Sequence, residues 1–221
     1  MPPLENIFVI RHGESEEDVN PEIKGETNDS EIGLTEKGVT QAKEAAERIR
    51  AELADFEHIT LYVSPYKRTQ QTAEIILDTL QDGRIKMITE PSIRSLNWGD
   101  VSHENLKERE QERYRIGVLH YQFPDGDNSP KYIGNIYDFV YKLIKEKHIN
   151  NNKKECAVIV GHGFSLRIIV KAFTEMSNED FKWIKNPPST FVARIYFDPT
   201  TDSFIMRDPL SKREPNEIEI K

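Results

Sequence analysis

The chain reads as an α/β protein: a three-layer α/β/α sandwich around a mostly parallel central sheet with one antiparallel edge strand. Three observations point there. Ile7-Phe8-Val9-Ile10 and Cys156-Ala157-Val158-Ile159-Val160 are short, unbroken apolar runs, as expected of strands buried on both faces. Such runs alternate along the chain with segments of helical periodicity, the pattern of βα units whose helices cover a parallel sheet. Near the C-terminus, the strand-like runs 191–197 and 203–207 are joined by Asp198-Pro199-Thr200-Thr201-Asp202. That pair reads as a hairpin and adds the antiparallel strand.

Each element has a local cause. The run at 7–10 stops abruptly at Arg11-His12-Gly13-Glu14-Ser15. Residues 16–33, rich in Gly, Asn, Asp and Ser with one Pro, form a loop, and loops of this length in compact domains are usually functional. Thr35 is placed to cap a helix with the apolar face Val39, Ala42, Ala46, Ile49 and Leu53. Gly38 in its first turn costs about 1 kcal/mol against alanine and implies close packing. His58–Val63 is a second strand; Ser64 is expected to cap the next helix, with Pro65 at its first position and Ala73, Ile76, Leu77 and Leu80 inward. Ile85–Thr89 is a third strand, and 91–100 is a helix-poor connection.

Residues 103–116 are dense in charge and are expected to form a surface helix; 123–130 is a loop. Tyr137, Val140 and Ile144 mark an amphipathic helix, and 150–154 a polar turn. The fourth strand delivers Gly161-His162-Gly163 to a helix over 164–175. The tail after Pro209 is charged and expected to be loose. No internal repeat is visible.

The 221 residues suit one domain spanning 1–221. Net charge is -8, which argues against nucleic-acid or anionic-membrane partners. The lone Cys156 has no partner for an internal disulfide, and a reducing compartment is the simple expectation. Met1-Pro2-Pro3-Leu4-Glu5-Asn6 lacks a signal-peptide pattern, and no apolar run approaches the roughly 20 residues of a membrane helix. A cytoplasmic location is expected.

Ligands of open α/β sheets bind outside the carboxyl ends of the strands. Arg11 with His12, Arg68, and His162 arrive at three such ends. Guanidinium forks match phosphate oxygens. Arg68 sits in a first helical turn, where a cation is disfavoured unless an anion shares the site. A single histidine at a strand end is more often structural; four such residues at successive ends shift the balance toward a phosphate site. A zinc site fits poorly, because the arginines repel a metal and no third ligand keeps metal-site spacing. No metal and no cofactor are expected.

These blocks carry a resemblance. Arg11-His12-Gly13-Glu14-Ser15, Leu34-Thr35-x-x-Gly38-x-x-Gln41-Ala42, Ser64-Pro65-x-x-Arg68-Thr69-x-x-Thr72-Ala73 and Gly161-His162-Gly163 resemble the signature blocks of the histidine phosphatase superfamily, in its phosphoglycerate-mutase-like branch. The blocks span nearly the whole chain in family order, and Asn186-Pro187-Pro188 is also similar to that branch. The resemblance implies that His12 is a nucleophile carrying the phosphoryl group as phosphohistidine. It implies that Arg11, Arg68 and His162 hold the phosphoryl oxygens, with Asp18, Gly163 and Ser95 lining the substrate site. It further implies a helical cap insertion over about 99–150 and a small phosphorylated metabolite or a phosphoprotein as substrate.

The chain departs from the family pattern at three positions. The block Ile93-Arg94-Ser95-Leu96-Asn97-Trp98-Gly99 carries Ser95 where the family's proton-donating glutamate stands. Asp18 replaces a common asparagine, and Gly126-Asp127-Asn128 stands for Gly-Glu-Ser. Asp100, His103 and Glu104 are nearby candidates for a substitute acid. Three readings stay open: a phosphatase with weak general-acid assistance, a phosphoglycerate mutase, and an impaired phospho-ligand binding module.

Overall fold

The first strand, β1 (Asn6–Arg11), sends alternate side chains to opposite faces, as a strand's period of two requires. Ile7 and Val9 enter one hydrophobic cluster and Phe8 and Ile10 the other. The computed structural model describes residues 5–25, 27–100, 105–146 and 154–214. Among these, β2 (His58–Val63), β3 (Ile85–Thr89), β4 (Glu155–Gly161), β5 (Val192–Asp198) and β6 (Ser203–Met206) join β1 in one sheet, ordered β3-β2-β4-β1-β5-β6. The first four strands run parallel, and the hairpin β5–β6 supplies the antiparallel edge through β5. β1 pairs with β4 from Ile7↔Ala157 to Arg11↔Gly161.

Helices cover both faces. α2 (Glu36–Leu53) and α3 (Lys67–Leu80) bury Ala45, Ala46, Ile49, Ala73 and Ile76 against Phe8, Ile10, Val158 and Val160. On the other face α5 (Ser129–Glu146) and α6 (Gly163–Thr174) pack on Ile7, Val9, Ala157 and Ile159. Full burial of each of the Ile, Val and Phe side chains contributes about 1.5–3 kcal/mol, and of each alanine methyl about 0.8 kcal/mol. A one-residue register slip in β1 or β4 would exchange the two clusters, so the pairing is strongly specified.

Several local expectations change. The 16–33 segment contains a short helix, α1 (Glu16–Val19), and two 3₁₀ turns. It is closed by the Ser15–Leu34 bridge and anchored by buried Ile32. Thr35 does cap α2, accepting from the Gly38 amide at 3.0 Å. Ser64 does not cap α3: Tyr66 occupies that position, and the Ser64 hydroxyl is engaged elsewhere. α4 (Leu106–Ile116) is not wholly a surface helix, because Arg113 is buried. Tyr137 of α5 faces solvent, and the inward face is Tyr132, Ile136, Phe139, Val140 and Leu143.

The segment after Pro209 is pinned at its start. Leu210 is buried, and backbone hydrogen bonds tie Ser211 to Lys185 and Arg213 to Trp183, the last residue of α7 (Asn178–Trp183). Residues 150–153 of the expected polar turn lie outside the described residues. No helix among the described residues is long and apolar enough to cross a membrane.

Candidate active site

β1, β4 and β2 are neighbours, so the carboxyl ends of three parallel strands open side by side. The side chains that follow them meet in one cavity lined by Arg11, His12, Asp18, Arg68, Ser95, His162 and Gly163. Every residue expected at the site is therefore brought together. His12 and His162 are 5% and 4% exposed, and Arg68 is 3% exposed. The two imidazole centroids lie 5.2 Å apart.

The backbone under this cluster is tight. The Gly13 amide donates to Thr72 Oγ1 at 3.1 Å, and that hydroxyl donates to the Arg68 carbonyl at 2.7 Å, tying the first loop to α3. A Cβ on Gly13 would lie 2.4 Å from the Gly38 carbonyl oxygen, and one on Gly38 would lie 2.1 Å from that of Glu14. The two glycines let the loop after β1 press against the first turn of α2.

His12 Nδ1 lies 2.7 Å from the Gly13 carbonyl oxygen. A carbonyl only accepts, so this contact places the proton on Nδ1 and leaves Nε2 with its lone pair. Burial, then the charges of Arg11 and Arg68, push the His12 pKa down to about 3. The ring is neutral at pH 7, as a nucleophile must be. Burial and then Arg68 hold His162 well below its usual range as well. Its Nε2 is 2.7 Å from Ser64 Oγ, and its Nδ1 has no hydrogen-bond partner among the described residues.

Arg11 donates to the Pro187 carbonyl at 2.8 Å and to Asp18 Oδ1 at 3.1 Å, while its buried Nε has no partner among the described residues. Arg68 donates to the Asp29 carbonyl at 2.7 Å and lies 2.8 Å from the Asp29 carboxylate. Burial pushes the Asp18 carboxyl upward; hydrogen bonds from the Ser15 amide and hydroxyl, together with Arg11, outweigh it and hold Asp18 below its ordinary value. Gly163 begins α6, whose N-terminus faces the cavity with its positive dipole end.

Ser95 lines the cavity beside a fixed ion pair. Arg94 forks onto Asp127 at 2.7 and 2.8 Å and also donates to the Ser95 carbonyl at 2.7 Å. Asp127 accepts from the Asn97 amide too, so its carboxylate is occupied in holding this loop. Asp100 is exposed and does not line the cavity; His103 and Glu104 lie outside the described residues. No group of three or more His, Cys, Asp or Glu among the described residues is placed to hold a metal ion.

A family model described as the histidine phosphatase superfamily (branch 1) matches residues 7–205. The chain belongs to that superfamily. Among relatives of this superfamily member, the phosphoglycerate mutase-like protein AT74 of Arabidopsis thaliana is 30% identical over 193 residues, covering 82% of this chain. The chain spans 61% of the length of that relative. A 2,3-bisphosphoglycerate-dependent phosphoglycerate mutase of Bartonella henselae is 27% identical over 196 residues, covering 86% of this chain and 90% of its own. A mycobacterial glucosyl-3-phosphoglycerate phosphatase has the same fold, with TM-score 0.70 at 14% identity over 95% of this chain and 100% of that one.

Sequence reasoning did not place Glu17, Asp29, Trp98 or Arg113 among the residues that line this cavity. Glu17 and Asp29 sit in the polar loop, where charge is the rule and carries no positional signal. Trp98 was visible only as part of the Ser95 block. Arg113 lies in a stretch so dense in charge that nothing local marks one cation as turned inward.

Proposed function

We propose that the chain is a phosphatase acting on a phosphomonoester or similar phosphorylated substrate through a phosphohistidine on His12. The observation that carries this reading is the His12 ring, hydrogen-bonded through Nδ1 to the Gly13 carbonyl, in a cavity shared with Arg11, Arg68 and His162, where burial and the two guanidinium charges favour its neutral form. His12 Nε2 forms a bond to phosphorus as the bond to the leaving oxygen breaks, and that oxygen takes a proton. Water then attacks phosphorus, the P–N bond breaks, and inorganic phosphate leaves. Arg11, Arg68 and His162, with the α6 N-terminus, offset the charge that develops on the equatorial oxygens.

Asp18 and Gly163 shape the rim, and Ser95 leaves the leaving group with weak proton donation. General acid catalysis is worth about 10²–10⁴-fold, so aryl and acyl phosphates, whose leaving groups need no proton, are the favoured classes. The segment of about 99–150 acts as the insertion that sets specificity, reaching the cavity through α4. The chain works without a bound metal, in the cytoplasm, on a small metabolite or a phosphoprotein.

The experiment is acid-labile, base-stable phosphate labelling during turnover of p-nitrophenyl phosphate. Label on His12 with steady phosphate release supports the reading; neither label nor release in the folded wild type overturns it. A second reading, phospho-ligand binding without turnover, is favoured by Ser95 at the acid position. It would appear as tight phosphate binding with no release. A mutase would return the label to an acceptor hydroxyl instead of water.

A further inference from the structure

Ser64, the residue after β2, is fully buried beneath the cavity. Its backbone is fixed from three directions. The Ser64 amide donates to the Val160 carbonyl at 3.1 Å, and its own carbonyl accepts from Thr69 Oγ1 at 3.0 Å and from Gln70 Nε2 at 2.6 Å. These bonds lock the end of β2 to the end of β4 and to the first turn of α3. The hydroxyl that they hold in place lies 2.7 Å from His162 Nε2.

The direction of that last bond follows from counting protons. A serine hydroxyl has one proton to give and two lone pairs to offer. Ser64 Oγ accepts from the Tyr66 amide at 3.4 Å, and among the described residues its other hydrogen-bond partner is His162 Nε2 alone. A ring protonated on Nε2 would donate to Oγ and leave the hydroxyl proton without an acceptor inside the fold. A buried donor in that position carries its full desolvation cost. The opposite polarity satisfies every atom: the Tyr66 amide donates to Oγ, Oγ donates to Nε2, and the ring proton sits on Nδ1.

His162 Nδ1 is itself buried and makes no hydrogen bond among the described residues. Although His162 stands at the N-cap position of α6, its side chain makes no cap hydrogen bond. The ring lines the cavity, held between Tyr66 and His12 with centroids 5.3 and 5.2 Å away. Burial and the Arg68 charge keep it neutral, so it has a single ring proton. Where that proton sits decides whether the ring offers an anion a donor or a repelling lone pair. A buried N–H without a protein acceptor, in a cavity with Arg11 and Arg68, matches an anionic oxygen.

We infer that Ser64 is a positioning residue: by donating to Nε2 it fixes His162 as the Nδ1–H tautomer, so that the ring gives a hydrogen bond to a phosphoryl oxygen. This rests on the reading of the cavity as the phosphoryl site. Ser64 itself does not touch the substrate.

The test reads the proton directly. Long-range proton–nitrogen correlation NMR on chain labelled at histidine nitrogen is recorded at neutral pH, with and without inorganic phosphate. In the wild type His162 is expected in the Nδ1–H form throughout, and phosphate moves that proton downfield. Ser64→Ala is expected to shift the ring toward Nε2–H, the form that an imidazole side chain favours when nothing holds it. The same variant should bind inorganic phosphate, measured calorimetrically, about 10-fold or more weakly, the loss of one charge-assisted hydrogen bond. Ser64→Thr keeps the hydroxyl and restores both properties.

A wild-type ring in the Nε2–H form overturns the inference, and so does an Nδ1 proton that phosphate leaves unmoved. A Ser64→Ala ring that stays Nδ1–H overturns it even where phosphate binds more weakly, because the serine would then be only structural. If Ser64→Ala does not fold, the wild-type spectra decide alone. A chain whose Nδ1 proton responds to phosphate, but which forms no phosphohistidine and releases no phosphate, refutes the phosphatase reading and leaves the role of Ser64 intact.

Discussion

His12 and His162, 150 residues apart in sequence, stand with ring centroids 5.2 Å apart and planes at 59°, at the ends of adjacent parallel strands. Their rings differ in tether. His12 gives Nδ1–H to its neighbour's carbonyl, whereas His162 meets the Ser64 hydroxyl, which comes from a third strand end. Both imidazoles are kept neutral by burial first and by guanidinium charge second.

That neutrality makes stability depend on pH. The folded pKa of His12, about 3, lies below its unfolded value of 6.5. Between these values the unfolded chain binds a proton that the folded chain does not, so stability falls as pH drops through the window and is complete above it. Urea unfolding near pH 7 and near pH 4.5 is expected to show a loss of about 2 kcal/mol attributable to His12. His12→Gln should shed that part of the dependence. An unchanged pH dependence in His12→Gln refutes the account.

In the proposed mechanism Ser95 stands at the position from which a carboxylic acid would protonate a poor leaving group. Ser95→Glu is expected to raise kcat/KM for alkyl phosphates about 10-fold or more while changing aryl phosphates little. The ratio of the two rates is the measurement. A ratio that does not move shows that the acid position lies elsewhere.

Asp18 holds one arm of Arg11 at 3.1 Å and places a negative charge in the cavity proposed to take the phosphoryl group. Asp18→Asn removes that charge and keeps an acceptor for the Ser15 amide. The KM for p-nitrophenyl phosphate should fall about 3- to 10-fold, the size of one partly screened charge interaction. A higher KM would mean that Asp18 acts mainly by orienting Arg11.

Gly38 offers a test of the backbone. An exposed mid-helix glycine gains about 1 kcal/mol on replacement by alanine. Here the added Cβ would lie 2.1 Å from the Glu14 carbonyl oxygen. Gly38→Ala is therefore expected to destabilise the chain by about 2 kcal/mol or more and to lower activity, as the loop carrying His12 is displaced. Thermal unfolding and p-nitrophenyl phosphate kinetics read both effects; a stabilised variant refutes the contact.

The four side chains that meet in the cavity were legible because each directly follows, or lies one helical turn beyond, a run that reads as a buried strand. Parallel neighbours then had to bring them to one end. The order of those neighbours was not legible: β1 meets β4 across roughly two thirds of the chain, and nothing local encodes that pairing. Ser64 was read as a cap because its nearest neighbours allow it, while its actual partner, His162, is 98 residues away. Arg113 was hidden by composition. In a helix as charged as 106–116, an inward cation looks like its outward neighbours until Trp98, Phe123 and Phe164 are seen around it. Tyr137 shows the reverse error, an aromatic at a plausible spacing that points to water.

Residues 156–170, which comprise most of β4, His162 and most of α6, are buried without interruption. Their amides reach solvent only when the sheet itself opens, so hydrogen–deuterium exchange there should be the slowest in the molecule and report global unfolding. The imidazole anchored in that stretch has no private route to disorder. Heat or denaturant will then silence the chain at the same midpoint at which it melts, with no earlier phase in which a folded body has lost its chemistry.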